Sequence, residues 1–162
     1  DWTLSRGLGD VYKRQIPSDL ETVPKNLSIE DKWILAEFSE TMDTVKTAWE
    51  NLDIYSATQA LKTFGTGVLP SHYLEMVKSR LYDGDIAASW TLHRIVRDFM
   101  SAFTPVCPFF THHISESLYG RSAVEIDVFP VVADRSVGLG TDEGDHLRGL
   151  SALVQSLSLI HI

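Results

Sequence analysis

The chain has 162 residues, of which 44% are hydrophobic and 22% charged, a balance typical of a single globular domain. Its formal net charge of −8 argues against the basic class of protein that binds any polyanion. One cysteine excludes an internal disulfide, and no apolar run approaches the roughly 20 residues of a membrane span. No signal peptide is visible. We therefore expect a cytoplasmic protein without a membrane partner.

The two ends of the chain differ from the rest. Residues 1–15 (DWTLSRGLGDVYKRQ) and the last six residues (LSLIHI) resemble translated sequencing-adapter sequence, and neither continues a periodic pattern. We expect them to be non-native tails on a gene that is truncated at both sides, and we exclude them from the fold. The alternative is a frayed N-terminal arm and a short C-terminal strand.

The first element predicted from the sequence is an amphipathic helix that follows a polar linker over residues 16–27. Ser28 is a good N-cap, and Glu30 and Asp31 place negative charge in the first turn, where the helix dipole favours it. Apolar residues then recur at intervals of three or four, which predicts a helix of about 22 residues with one buried stripe. That stripe comprises Ile34, Phe38, Met42, Val45, Trp49 and Leu52.

A second helix is predicted to begin near Asp53 or Ser56. Within it lie the run Gly65-Thr66-Gly67 and Pro70. Each interior glycine costs about 1 kcal/mol relative to alanine, and an interior proline costs about 3 kcal/mol. We therefore expect a break or kink at this point, with the helix resuming around Ser71.

Two further helices complete the predicted bundle. Gly84 suits a left-handed helix end and Asp85 suits the next N-cap. The third helix should run from about Ile86 to Phe103 and occupy the centre of the bundle, because apolar residues cover a wide arc of it. A fourth, from about Pro108 to Tyr119, should close at Gly120.

The predicted fold is all-α: an antiparallel helical bundle with a short extended C-terminal arm. The helical domain covers residues 28–130, and its arm is the alternating segment 123–128. Residues 131–145 form an acidic loop, and residues 146–162 combine a truncated amphipathic helix with the non-native end.

No catalytic or metal site is predicted. The chain lacks both the GxxxxGK[ST] and the GxGxxG phosphate-binding patterns. Cys107 lies between prolines and beside Phe109, with no base adjacent, which favours a structural thiol over a nucleophile. His112 and His113 are neighbours on a helix and cannot chelate one metal as an i, i+4 pair would.

Basic residues concentrate in the middle of the chain. Residues 62–97 carry five bases and three acids, a net of +2, whereas residues 17–53 carry three lysines and nine acids, a net of −6. An anionic partner should prefer the middle segment, where Phe64, Tyr73 and Trp90 offer rings for stacking on RNA bases. The alternative is that these rings are core and the bases a solvated face, and composition alone favours that alternative. The candidate residues are Lys62, His72, Lys78, Arg80, Arg94 and Arg97.

Three motifs point to a family. Residues 27–35 (LSIEDKWIL) resemble the D-[KR]-W-[IL]-L opening of the anticodon-binding domain of class Ia aminoacyl-tRNA synthetases, those for valine, isoleucine and leucine. Residues 72–82 (HYLEMVKSRLY) resemble its YLE-x-x-K-x-R helix, and residues 103–111 (FTPVCPFFT) the step between its last helices. The segment 115–130 is similar to the archaeal valyl type. The motifs follow the family's order over residues 27–130.

The resemblance implies a role in the ATP-dependent attachment of valine to tRNA(Val). The domain would bind the anticodon stem and loop, with Lys78, Arg80, Arg94 and Arg97 on phosphates and His72 and Lys62 at the edge. ATP belongs to the parent enzyme and no cofactor to this fragment. The partners would be tRNA(Val) and the missing catalytic domain, not DNA.

The chain also departs from the family pattern, because Thr66 occupies a position that is usually aromatic and Pro70 is atypical. Both residues fall in the second helix. Two alternatives stay open: the same domain of an isoleucyl or leucyl enzyme, and an all-helical protein-interaction module that presents its acidic first helix and acidic tail to a partner other than RNA.

Overall fold

The computed structural model describes residues 16–120, and these residues form helices without any β-strand. The helices are α1 (Ile29–Glu50), α2 (Ile54–Thr63), a π-helical segment (Phe64–Leu74), α3 (Glu75–Tyr82), α4 (Ile86–Phe103) and α5 (Pro108–Tyr119). Short connections at residues 51–53, 83–85 and 104–107 join the helices, as is usual between antiparallel neighbours, and the predicted all-α bundle is confirmed. Residues 1–15, the arm at 123–128, the acidic loop and residues 146–162 lie outside the described residues. No helix in the described part is long and apolar enough to cross a membrane.

Helix α1 begins and runs as its sequence predicts. The Ser28 hydroxyl accepts a hydrogen bond from the amide of Asp31, and the Asp31 carboxylate accepts one from the amide of Ser28; this reciprocal capping box satisfies two amides at the helix start. The stripe from Ile34 to Val45 is buried. Its last member was predicted wrongly: Leu52 is 85% exposed. The helix ends at Glu50, and Leu52 adopts a φ of 58° that turns its side chain to solvent.

The second predicted helix does not separate into two at its glycines and proline, but its α-helical hydrogen bonding is interrupted in that region by the π-helical segment. Helices α2, the π-helical segment and α3 follow one another with helical backbone angles at both junctions, and we call residues 54–82 the composite helix. In an α-helix, the ring of Pro70 would clash with the carbonyl group of the preceding turn. The π-helical turn is wider and bonds i to i+5, which lets the chain continue past the proline without a break.

Aromatic rings tie the composite helix to its neighbours. The ring of Phe64 lies 5.1 Å from that of Phe38 on α1 and 6.4 Å from that of Phe99 on α4. Phe99 in turn stacks on Phe103 at 5.8 Å. A Cβ at Gly65 would lie 2.7 Å from Cζ of Phe99, so glycine at this position permits the close approach of α4.

Helix α4 is central, as predicted, since it contacts α1, α2, α3 and α5. Its N-cap is Asp85, whose carboxylate accepts hydrogen bonds from the amides of Ala87 and Ala88. Gly84 and Gly120 both have positive φ angles, 80° and 65°, which confirms the two helix ends expected at glycine. These local signals therefore place the helix boundaries correctly.

Candidate nucleic-acid interface

The six candidate RNA-binding residues occupy three different environments, and the first surrounds Arg80. Its guanidinium donates to the carboxylate of Asp31 (Nη2 to Oδ2, 2.8 Å), to the hydroxyl of Ser28 (Nη1, 2.7 Å) and to the carboxylate of Asp85 (Nε, 2.9 Å). The hydroxyl of Tyr73 donates to the other oxygen of Asp31 at 2.8 Å. We call these five residues the corner cluster, because they join the start of α1, the end of α3 and the start of α4.

The electrostatics of the corner cluster favour its ion pairs. The hydrogen bond and charge of Asp31 raise the pKa of the Arg80 guanidinium. Burial, followed by the adjacent Asp31 charge, raises the pKa of the Tyr73 hydroxyl, which therefore remains a donor. Partial burial opposes ionisation of Asp85, but hydrogen bonds from Arg80 and from the α4 amides lower its pKa. Arg80 is thus compensated by carboxylates within the protein, and its predicted contact with tRNA stays a prediction.

Arg94 and Arg97 lie in a second cluster, on α4. The buried carboxylate of Asp98 accepts from Nε of Arg94 at 2.8 Å and from Nε of Arg97 at 3.0 Å. Beyond it, Nη1 of Arg94 donates to the Leu20 carbonyl at 3.0 Å, and Nη1 of Arg97 donates to Glu21 at 2.6 Å. We call this group the entry cluster, since it fixes the segment that enters the bundle.

The entry cluster also perturbs the exposed acid that it holds. The hydrogen bond from Arg97, opposed by slight burial and assisted by the charge of Arg94, lowers the pKa of Glu21. The hydrogen bond is short, but Glu21 is 74% exposed, so solvent weakens the pair. For either arginine to contact an RNA phosphate as predicted, Glu21 must compete with that phosphate for the same donors.

The remaining candidates are Lys62, Lys78 and His72, all on the composite helix. Lys62 is exposed, and no described carboxylate lies within 4.0 Å of its amino group. Lys78 is 43% exposed and lies 3.6 Å from Glu75, an exposed pair that stabilises little. His72 is buried, at 9% exposure. The two lysines are therefore the most accessible of the six candidate residues.

The three aromatic residues that were predicted to stack on RNA bases are not accessible. Phe64, Tyr73 and Trp90 are at most 4% exposed, so they are core side chains and offer no free ring to a base. The exposed rings on the composite helix are Tyr55 at 73% and Tyr82 at 48%, which the sequence analysis missed. Tyr82 directly follows a buried leucine, and that register is the signal that would have found it.

Charge is distributed unevenly over the described surface. Helix α1 carries six acids and two lysines, a net of −4, whereas the composite helix carries three bases (Lys62, Lys78 and Arg80) and only Glu75 as an acid, a net of +2. A polyanion is repelled by the first and attracted by the second. The composite helix is consequently the better surface for a nucleic acid.

Comparisons with known proteins agree with this helical fold. The family model described as the anticodon-binding domain of tRNA ligase matches residues 31–157. A valine–tRNA ligase of Saccharolobus solfataricus is 35% identical over 82% of this chain and 16% of its own length. Those of Methanothrix thermoacetophila (36% over 71% of the chain, 14% of its own length) and Haloarcula marismortui (31%, 74% and 12%) are also similar. The chain thus spans less than a fifth of the length of these relatives.

Proposed function

The chain belongs to the family of anticodon-binding domains of tRNA ligases, and we therefore propose that it contacts the anticodon stem and loop of tRNA(Val) as part of a valine–tRNA ligase. The family match over most of the helical domain is the observation that carries this proposal. The relatives with which the chain shares 27–36% identity are valine–tRNA ligases, which favours valine over isoleucine or leucine.

In this proposal the domain contributes selection of the tRNA, not chemistry. Contacts from cationic side chains to phosphates supply attraction and set the orientation, and contacts to bases supply the choice of sequence. The accessible candidates, Lys62 and Lys78, are suited to phosphates. His72, Arg80, Arg94 and Arg97 would have to leave the core or exchange an internal partner before contacting RNA.

The attachment of valine, with ATP as the co-substrate, would take place in a catalytic domain elsewhere in the parent enzyme, in the cytoplasm. The exposed rings of Phe109 and Phe110, at 90% and 55% exposure, support a larger protein. They begin α5 beside Pro105 and Pro108, which are also exposed. An apolar surface of this kind fits contact with another domain of the same protein.

A binding experiment tests the proposal directly. The full chain is titrated, with fluorescence anisotropy as the readout, into transcripts of tRNA(Val), of tRNA(Val) with a replaced anticodon, of tRNA(Ile) and of tRNA(Leu). We expect the tightest binding to tRNA(Val) and weaker binding once its anticodon is replaced. Tighter binding to tRNA(Ile) or tRNA(Leu) would reassign the domain to the related ligases. An absence of binding to every transcript would contradict RNA recognition by this chain and favour the protein-interaction alternative.

A further inference from the structure

We infer that the RNA lies along the outward side of the composite helix, from Tyr55 to Tyr82, and not along the arginines of α4. This inference rests on the proposed function and specifies where that function resides. We call this side the outer face; it comprises Tyr55, Gln59, Lys62, Thr66, Lys78 and Tyr82. All six side chains belong to residues that are exposed or partly exposed.

Lys62 and Lys78 point to the same side of the composite helix. Leu61 and Val77 are both fully buried, so each marks the inward direction, one before and one after the π-helical segment. Lys62 and Lys78 each follow their buried neighbour by one residue of α-helix, and both are therefore rotated by about 100° from the core.

The π-helical segment places the two lysines on the same side of the composite helix. They are separated by 16 positions, which in an uninterrupted α-helix amounts to about 1,600° of rotation and leaves them about 160° apart. The wider turns of the π-helical segment rotate the chain less per residue. Val77 therefore comes back into line with Leu61, and Lys78 with Lys62, along one side of a long helix.

The distribution of charge also favours the outer face. Glu75 is the only acid of the composite helix, whereas α1 carries a net of −4. Arg80, Arg94 and Arg97 are already held by Asp31, Asp85, Asp98 and Glu21. Within the described residues, Lys62 has no carboxylate within 4.0 Å and Lys78 pairs with Glu75, so the outer face presents two accessible lysines against one acid and suits a phosphate backbone.

Exposed aromatic rings favour RNA over an acidic peptide as the ligand of the outer face. Tyr55 and Tyr82 present exposed rings at the two ends of the face, and a ring of this kind stacks on an unpaired base of any sequence. Between them, a Cβ added to Gly67 would meet no atom within 4 Å. No neighbour in the described bundle requires a glycine there, although glycine weakens a helix, and its bare backbone permits close approach of a ligand.

The test compares two double variants of the full chain that lose the same charge. Lys62→Gln/Lys78→Gln alters the outer face, and Lys32→Gln/Lys46→Gln alters α1. Binding of a tRNA(Val) transcript is measured by fluorescence anisotropy at several salt concentrations. Each lost phosphate contact should reduce the slope of log K against log salt by about 0.7–0.9. We therefore expect the outer-face variant to lose about 1.5 from the slope and at least tenfold in affinity, and the α1 variant to retain the original slope.

A third variant tests stacking without changing charge. Tyr82→Leu should weaken binding about fivefold or more, which corresponds to the loss of about 1 kcal/mol from one base–ring contact, and should leave the salt slope unchanged. Circular dichroism melting of each variant verifies the fold, which these substitutions at exposed or partly exposed positions should preserve.

The outcomes separate the inference from the proposed function. If the unaltered chain binds no transcript, the proposed function fails. If it binds and the two double variants weaken equally, or the outer-face variant binds as tightly as the original, RNA recognition stands and the outer face is wrong. Equal displacement of the transcript by polyglutamate would show a surface for acidic polypeptides and would also overturn the inference.

Discussion

Replacing Arg80 by methionine should reveal how much the corner cluster contributes to the stability of the bundle. The variant keeps the length of the side chain but leaves the carboxylate of Asp31, which is fully buried, without its cation. Removing one partner of a buried ion pair typically costs 3–5 kcal/mol. The hydroxyl of Tyr73 and the amide of Ser28 would still donate to Asp31, so we expect a loss near 3 kcal/mol. Against a typical total of about 5–15 kcal/mol, such a loss is large.

The measurement is urea unfolding followed by far-ultraviolet circular dichroism. The midpoint should fall while the m-value stays constant, because the surface exposed on unfolding hardly changes. Lys78→Met is the matched control, since it removes a cation from the same helix at an exposed position and should change stability by less than about 0.5 kcal/mol. Asp31→Asn completes a double-mutant cycle with Arg80→Met.

The cycle tests whether the two side chains act as a pair. With both partners altered, no uncompensated buried charge remains, so the double variant should be at least about 1 kcal/mol more stable than the sum of the single effects predicts. A loss below about 1 kcal/mol for Arg80→Met, or strictly additive effects, would refute this reasoning. Arg80 would then behave like an ordinary surface cation and would be available to contact RNA.

Three further predictions concern helix packing, pH and capping. Gly65→Ala should be about 1–2 kcal/mol less stable in urea than Gly67→Ala, because its new methyl group presses on Phe99 at 2.7 Å whereas the other meets nothing; equal stabilities would contradict that packing. Since the entry cluster lowers the pKa of Glu21, its stabilisation is complete above the unfolded value of about 4.3 and is lost as the pH falls through the folded value. Glu21→Gln removes this titration, so the free energy of unfolding should fall less on acidification in the variant than in the unaltered chain, by under about 1 kcal/mol. An unchanged pH profile would count against the ion pair. Ser28→Ala should lower the free energy of unfolding by about 1 kcal/mol and speed amide hydrogen exchange in the first turn of α1. Unaltered exchange there would contradict the capping role of Ser28.

The sequence by itself determined where most helices begin and end, although it did not predict that the second helix would continue past Gly65, Gly67 and Pro70 as a π-helical segment. Ser28 and Asp85 cap as predicted, and Gly84 and Gly120 end helices with positive φ. These features depend on interactions between residues at most a few positions apart, so the local sequence contains the relevant information. The same holds for the stripe of α1, whose period is that of the helix itself. Local pattern failed where the helix had already ended, at Leu52.

The tertiary structure decided which cations and rings are available. Asp31 lies 49 positions from Arg80, and Glu21 lies 76 positions from Arg97, so no local pattern reveals that these arginines are already paired. Likewise, Phe64 packs against Phe38 of α1 and Gly65 lies against Phe99 of α4, contacts between residues far apart in the chain that no local pattern predicts. The number of cationic side chains follows from the sequence, but only the folded chain pairs some of them with distant carboxylates and leaves others exposed to solvent.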